Sequence, residues 1–163
     1  MTARSNIRRI AVLASITMTA MACIARAQTP ARYLNPPTLP PATGYTHVVV
    51  APDGRTVYVA GQIALDSAGR LVGAGDFRAQ AEQVYSNLRR ALASVGGTLA
   101  DLVKTTTFIT DVAQVPVLRE VRGRYLDAEH PPANSLIPVG TLARGELLIE
   151  IEAVAILKAP ARP

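Results

Sequence analysis

The stretch ELLIEIEAVAIL, residues 146–157, constrains the fold most, because its two faces are chemically different. Side chains alternate along a strand with a period of two. Leu147, Ile149, Ile151, Ala153, Ala155 and Leu157 therefore share one face, and Leu148, Glu150, Glu152, Val154 and Ile156 share the other. The first face is wholly apolar and is expected to lie beneath helices. The second mixes carboxylates with aliphatic side chains, whereas a water-facing surface would be more uniformly polar. That mixture fits a sheet face buried between subunits, with the acids at cavities or at the rim. Oligomerisation is thus an expectation from alternation alone.

The rest of the chain supplies partners for this strand. HVVVA and TVYVAGQI flank Pro52-Asp53-Gly54, a turn signal, and read as a β-hairpin. A second turn falls at Asp66–Gly69. The period then changes: Phe77, Ala81, Val84, Leu88, Leu92 and Val95 recur every three or four residues and define one apolar helical face. Asp76 is the expected N-cap and Gly96-Gly97 the expected stop. LVKTTTFIT is β-branched and reads as a strand. Pro116 opens a shorter helix at its first position, with Val117, Val121 and Tyr125 on one side and Gly123 weakening it. NSLIPVG and ELLIEIEAVAIL close the chain as strands. The order β-β-α-β-α-β-β, without internal repeats, predicts an α+β sandwich of one sheet covered by two helices.

The two ends differ from this body. Residues 1–27 hold Arg4, Arg8, Arg9 and Arg26 and no acid, around the apolar stretch IAVLASITMTAMACIA, and end in an A-x-A site before Gln28. This is the pattern of a cleaved secretory signal. The apolar stretch is shorter than the roughly 20 residues a spanning helix needs. A periplasmic or secreted protein is expected, with no stable membrane insertion after cleavage. Cys23 is the only cysteine of the 163 residues, so the mature chain would carry no thiol, disulfide or cysteine-based metal site. Residues 28–43 are proline-dense and read as an extended lead-in, residues 44–158 as one domain, and 159–163 as a tail. A hydrophobic content of 49% suits one domain with a real core.

Charge and motifs exclude several functions. The formal charge of +5 belongs largely to the leader: without its four arginines, 13 of the 17 basic residues face 12 acids. With aromatic content of 4% as well, no nucleic-acid partner is expected. GAGDFR lacks the third glycine and the preceding long strand of a dinucleotide loop. His47 and His130 lack a second ligand at metal spacing. Ser135, His47 and Asp111 have no nucleophile-elbow context. Neither a metal nor a cofactor is expected.

Glu150 and Glu152 admit two readings. Both can make inter-subunit hydrogen bonds or ion pairs, or one can be a partly desolvated carboxylate that positions a water. Burial raises a carboxylate's pKa and suits it to proton transfer near neutrality. Asn134 is either a strand-entry residue capping a turn or a neutral amide aimed into a cleft.

GYTHVVV, VYVAGQIALDSAGRLVG, QAEQVYSNLRRALASVGGTLADLVKTTTFITD, PPANSLIPVGTLA and IEIEAVAI occur in an order and spacing that resemble the RidA/YjgF family over roughly residues 42–158. The resemblance implies a chorismate-mutase-like α+β fold with about six strands, assembled as a homotrimer with small-molecule clefts between subunits. It implies hydrolysis of imines or enamines, a 2-imino acid and water giving a 2-oxo acid and ammonia, without a cofactor. It carries a cleft-lining aromatic onto Tyr45 and a ligand-binding backbone N–H onto Gly61. Two water contacts fall on the Glu150 carboxylate and the Leu136 carbonyl. The sequence departs from the family where P-A-R-S is usual: the arginine that clamps the substrate carboxylate is replaced by Asn134 in PANS. Ala60 stands where a serine is usual and Arg119 where an asparagine is common. A planar guanidinium supplies a charged bidentate fork that a neutral amide cannot reproduce. A cleft ending in Asn134 suits a neutral or amide-bearing ligand, unless Arg119, Arg122 or Arg144 supplies the charge. Three functions follow as alternatives: an imine deaminase of altered substrate or reduced activity, a non-catalytic small-molecule binding module, and a chaperone-like holdase. Ribonuclease action fits poorly with the near-neutral mature charge.

Overall fold

The computed structural model describes residues 29–158. The leader predicted at 1–27 and the tail at 159–163 lie outside the described residues. Six strands and two helices follow one another: β1 (Arg32–Leu34), β2 (Val48–Val50), β3 (Arg55–Ile63), α1 (Phe77–Ala93), β4 (Leu102–Ile109), α2 (Val115–Arg122), β5 (Ala133–Pro138) and β6 (Ile149–Leu157). Short 3-10 turns at Leu99–Asp101 and Val112–Gln114 precede β4 and α2. Four strands form the main sheet in the order β3-β6-β4-β5, and β1 and β2 form a separate antiparallel pair. The α+β class with two helices and six strands is as expected. No described helix is long and apolar enough to cross a membrane.

The strand that alternates most regularly lies inside the sheet. β6 runs antiparallel to β3 on one side and to β4 on the other. Its apolar set, Leu147, Ile149, Ile151, Ala153, Ala155 and Leu157, is buried throughout. α1 packs over β3 and β6 on that side, and α2 packs against α1. β5 is the outer strand and runs parallel to β4, a pairing that requires a crossover connection and receives one in α2.

Helix α1 begins and ends where its local chemistry dictates. The Asp76 carboxylate accepts the Ala79 backbone N–H at 3.1 Å, which satisfies a donor left free by the first turn. At the other end Gly96 adopts φ +80°, and the Gly97 N–H donates to the Leu92 carbonyl at 2.9 Å. Phe77, Ala81, Val84, Leu88 and Leu92 are buried, while Val95 lies beyond the last turn and is exposed. Gln80 is buried with them although polar. Its amide donates to the carbonyls of Gly73 (3.1 Å) and Glu146 (2.9 Å) and accepts the Leu148 N–H (2.8 Å). Every polar atom of this side chain is paired, as burial demands.

Two details differ from the sequence-based expectation. HVVVA and TVYVAGQI do not form a hairpin: β2 pairs with β1, with Tyr33 opposite Val49, and β3 pairs with β6. At Gly54 the chain passes close along the end of β6, where a Cβ would fall 2.8 Å from Ile156 Cγ2 and would strike the Leu157 carbonyl. The nine-residue β3 thereby gains a ladder along most of β6, which a three-residue β2 cannot offer. The partner of β2 lies within the stretch read as a proline-rich lead-in. In α2, Leu118 and Val121 are buried and Val117 is only partly so, because the short helix presents the Leu118 side to α1.

Replacing Gln80 by Leu keeps the volume but removes the partners of the Glu146 carbonyl and the Leu148 N–H, while the Gly73 carbonyl keeps the Asp76 N–H. It is expected to lower the unfolding free energy by about 2–4 kcal/mol. Asp76→Ala is expected to cost about 1 kcal/mol. Denaturant unfolding followed by circular dichroism measures both.

Candidate functional site

The pairing register decides which side each candidate residue occupies. Thr105 of β4 stands opposite Asn134 of β5 and Ala153 of β6. Thr107 stands opposite Leu136 and Ile151. Asn134 and Leu136 thus share the helix-covered side with buried apolar residues. Phe108 stands opposite Ile137 and Glu150, so Glu150 lies on the open side, with Glu152 and Val154. The predicted site residues fall into two groups on opposite faces of the sheet.

The first group lines a cleft of about 300 Å³ at the β5 edge, between α2 and the chain that precedes β2. Tyr45, Arg119, Arg122, Asn134 and Leu136 border it. Tyr45 is held there by its neighbour. Buried Thr46 bridges to Ala133, donates its N–H to the Pro132 carbonyl at 3.3 Å and its hydroxyl to the Pro131 carbonyl at 2.6 Å. The Tyr45 ring also meets His47 edge-on at 5.1 Å. The Asn134 amide donates to the hydroxyls of Thr105 at 2.8 Å and Thr107 at 3.1 Å, both buried. Both amide hydrogens are therefore committed to the sheet, and the carbonyl Oδ1 is what residue 134 offers the cleft.

Cations come from α2. Arg119 and Arg122 lie one turn apart and border the same cleft. Arg122 is half-buried, and its guanidinium rests where a side chain at Gly44 would stand. Gly44 has φ +70°, a conformation that glycine adopts without strain. Burial, first, and the nearby Arg119 charge hold Arg122 below the usual arginine pKa, while Tyr85 acts in the opposite sense. Arg144, the third nearby cation, is paired with Glu146.

The second group is smaller. Glu150 is half-buried on the open face, across the ladder from Ile63 of β3. A bulge between Val59 and Gln62 takes Ala60 and Gly61 out of the β3–β6 pairing. The Glu150 side chain occupies the space this opens: a Cβ on Gly61 would sit 2.7 Å from Glu150 Cδ and 3.0 Å from Cγ. Glu152 is exposed and borders a shallow concavity of the open face with Tyr58, Lys104 and Thr106. Lys104 donates to the Ser135 hydroxyl at 2.7 Å.

The fold of the single chain therefore brings Tyr45, Arg119, Asn134 and Leu136 together, and joins Gly61 to Glu150, but does not unite the two groups. Sequence reasoning missed Thr46, Thr105 and Thr107. The run TTT marked a strand, but nothing local told which hydroxyls would hold Asn134. Among the described residues, no three His, Cys, Asp or Glu side chains cluster as a metal site would require.

Comparison with known proteins matches residues 37–157 to the family described as endoribonuclease L-PSP. The chain is 34% identical over 118 residues to the 3-aminoacrylate deaminase RutC of Acinetobacter baylyi, covering 72% of this chain and 90% of that protein. It is 36% identical over 103 residues to the human 2-iminobutanoate/2-iminopropanoate deaminase, covering 63% and 73% of the two chains. Among solved structures, the Rid-family protein YyfB of Yersinia pestis superposes with a TM-score of 0.72 at 41% identity, over 78% of this chain and 98% of that one.

Gly61→Ala is expected to drive the Glu150 carboxylate out of the bulge and to destabilise the fold by about 1–3 kcal/mol through overpacking. Thermal unfolding and a crystal structure of the variant measure the two effects.

Proposed function

This chain belongs to the RidA/YjgF family, and on that premise we propose that it hydrolyses small 2-imino acids in clefts built between subunits of a homotrimer. The observation that carries the proposal is the division of the site residues. Glu150 and Gly61 lie on the open sheet face, whereas Tyr45, Asn134, Leu136 and Arg119 lie across the sheet. A ligand can meet both groups only if a second copy sets its open face against the β5 edge of the first. The open face suits such packing, since Tyr58 is 81% exposed and Ile137 39% beside the partly buried Val154.

In the proposed reaction the Gly61 N–H binds the ligand, and Glu150 with the Leu136 carbonyl orients a water toward the imine carbon. Attack forms the C–O bond. A proton passes from the water through Glu150 to nitrogen to give a carbinolamine. Its hydroxyl proton then passes through Glu150 to the amine as the C=O forms and the C–N bond breaks, releasing ammonia and the 2-oxo acid. The carboxylate acts as the proton carrier at both steps, the role that a partly desolvated acid within hydrogen-bond reach can play. No cofactor takes part. Support also comes from the curated relatives named as imine and aminoacrylate deaminases. The near-neutral mature charge speaks against the ribonuclease activity in the family's description.

The proposal includes export, motivated by the composition of residues 1–27. Mass spectrometry of the protein recovered outside the cytoplasm is expected to find Gln28 at its N-terminus; a retained Met1 there would overturn this part.

The mature protein is expected to accelerate pyruvate release from 2-iminopropanoate generated in situ. Glu150→Gln is expected to lower that acceleration about 10²-fold or more. Asn134→Arg is expected to raise it by restoring a bidentate clamp. Absence of acceleration by the wild-type protein would reject the enzyme and leave a non-catalytic binding module as the reading of the same cleft.

A further inference from the structure

We infer that Arg122 of α2 is the carboxylate-binding residue of this chain's cleft, and that Asn134 meets the opposite, N–H-bearing end of the ligand. The inference rests on the cleft being the ligand site proposed above, and it names the group that replaces the family's missing clamp.

Four observations converge on Arg122. Four arginines have acidic partners, Arg78 with Glu120, Arg124 with Glu82, Arg144 with Glu146 and Arg70 with Asp66, whereas the cleft pair Arg119 and Arg122 is in none of these ion pairs. Among the described residues the Arg122 guanidinium has no hydrogen-bond or ion-pair partner, although the residue is half-buried and its backbone carbonyl is paired. A partly desolvated cation without a counter-charge is an unfavourable arrangement, and a bound anion relieves it. Next, the guanidinium has room at the cleft wall: it lies in the space left by the absent side chain of Gly44, beside Tyr45. Third, Arg119 lies one turn earlier on the same helix and borders the same cleft, so two like charges face the same space. Glu120, between them in sequence, is paired with Arg78, and two adjacent cations favour an anion between or beside them. Fourth, residue 134 is unsuited to the carboxylate. Both amide hydrogens are bound to Thr105 and Thr107, which leaves an acceptor oxygen that repels a carboxylate and welcomes an N–H.

The ligand class follows from these poles. It is a small acid with a carboxylate at one end, an N–H donor such as an imine or amino group on the neighbouring carbon, and an apolar side for Leu118 and Leu136. Compared with a clamp on β5, the anion site is displaced toward α2, so this cleft selects a differently shaped acid rather than a neutral ligand.

The test measures binding of 2-oxobutanoate and of its neutral methyl ester by calorimetry, with 2-iminopropanoate hydrolysis assayed in parallel on the same full-length mature protein. Arg122→Gln is expected to weaken 2-oxobutanoate about tenfold or more and to leave the ester unchanged. Arg122→Lys is expected to restore part of the loss, since the charge returns without the fork. Arg144→Gln, outside the cleft, is expected to bind like wild type. Should Arg122→Gln fail to fold, Gly44→Ala keeps the charge but occupies the guanidinium's place, and is expected to weaken the acid selectively. The inference is overturned if Arg122→Gln binds the acid as tightly as wild type, if acid and ester weaken equally, or if wild type does not prefer the acid. The outcomes separate it from the enzyme reading. Arg122-dependent acid binding without imine hydrolysis rejects only the deaminase, and hydrolysis undiminished in Arg122→Gln rejects only the clamp.

Discussion

The register of β6 is the constraint on which the rest depends, and the Gln80 side chain fixes it. From a buried position on α1, that one amide bonds the Glu146 carbonyl and the Leu148 N–H at the entry to the strand, and the Gly73 carbonyl in the loop before the helix. A slip of one residue would turn Glu150 and Glu152 toward α1 and expose Ile149, Ile151 and Ala153. Each carboxylate in that core would be unpaired, a cost no packing could offset. The acids remain on the open face because the strand's first residues cannot move relative to the helix. Every candidate site residue takes its side of the sheet from the ladders that this register sets.

A second consequence concerns the outer strand. β5 joins the sheet parallel to β4, so the chain must cross over the sheet, and α2 is that crossing. Its return places the last turn of α2, with Arg119 and Arg122, over the same edge that carries Asn134 and Leu136. The cleft is a by-product of the parallel pairing: an antiparallel β5 would need no helix there and would bring no cations. Thr105 and Thr107, facing inward on β4, then hold the Asn134 amide flat against the sheet. These contacts withdraw the amide's donors from the cleft.

Much of the fold is legible residue by residue. The β6 face of Leu147, Ile149 and Ile151, the cap at Asp76 and the stop at Gly96-Gly97 appear where the pattern places them, because each is a local matter of dihedral period or of one orphan hydrogen bond. The β2–β3 hairpin is the instructive difference. Pro52-Asp53-Gly54 is a sound turn signal, yet the long ladder with β6 outweighs a short one with β2, and that competition involves residues about a hundred positions apart. The burial of Gln80 has no local signal, since a helical period cannot tell a buried polar residue from an exposed one. Within the site, Tyr45, Asn134, Leu136 and Arg119 were placed together by resemblance and meet in the cleft, whereas their separation from Glu150 and Gly61 required the register.

The sequence by itself determined the periods, and through them which side chains share a face, where α1 starts and stops, and that two acids lie opposite an apolar surface. These follow from backbone geometry within a few residues and need no partner. Only the tertiary structure decided which strands pair, that the acids and the cleft lie on opposite sides of one sheet, and that the Asn134 amide is bound by two threonines. It also decided that, of the three arginines weighed as substitutes for the missing clamp, Arg119 and Arg122 border the cleft while Arg144 is paired with Glu146. Those outcomes rest on competition among long-range contacts and on the limited supply of counter-charges, and neither is written in any local stretch of the chain.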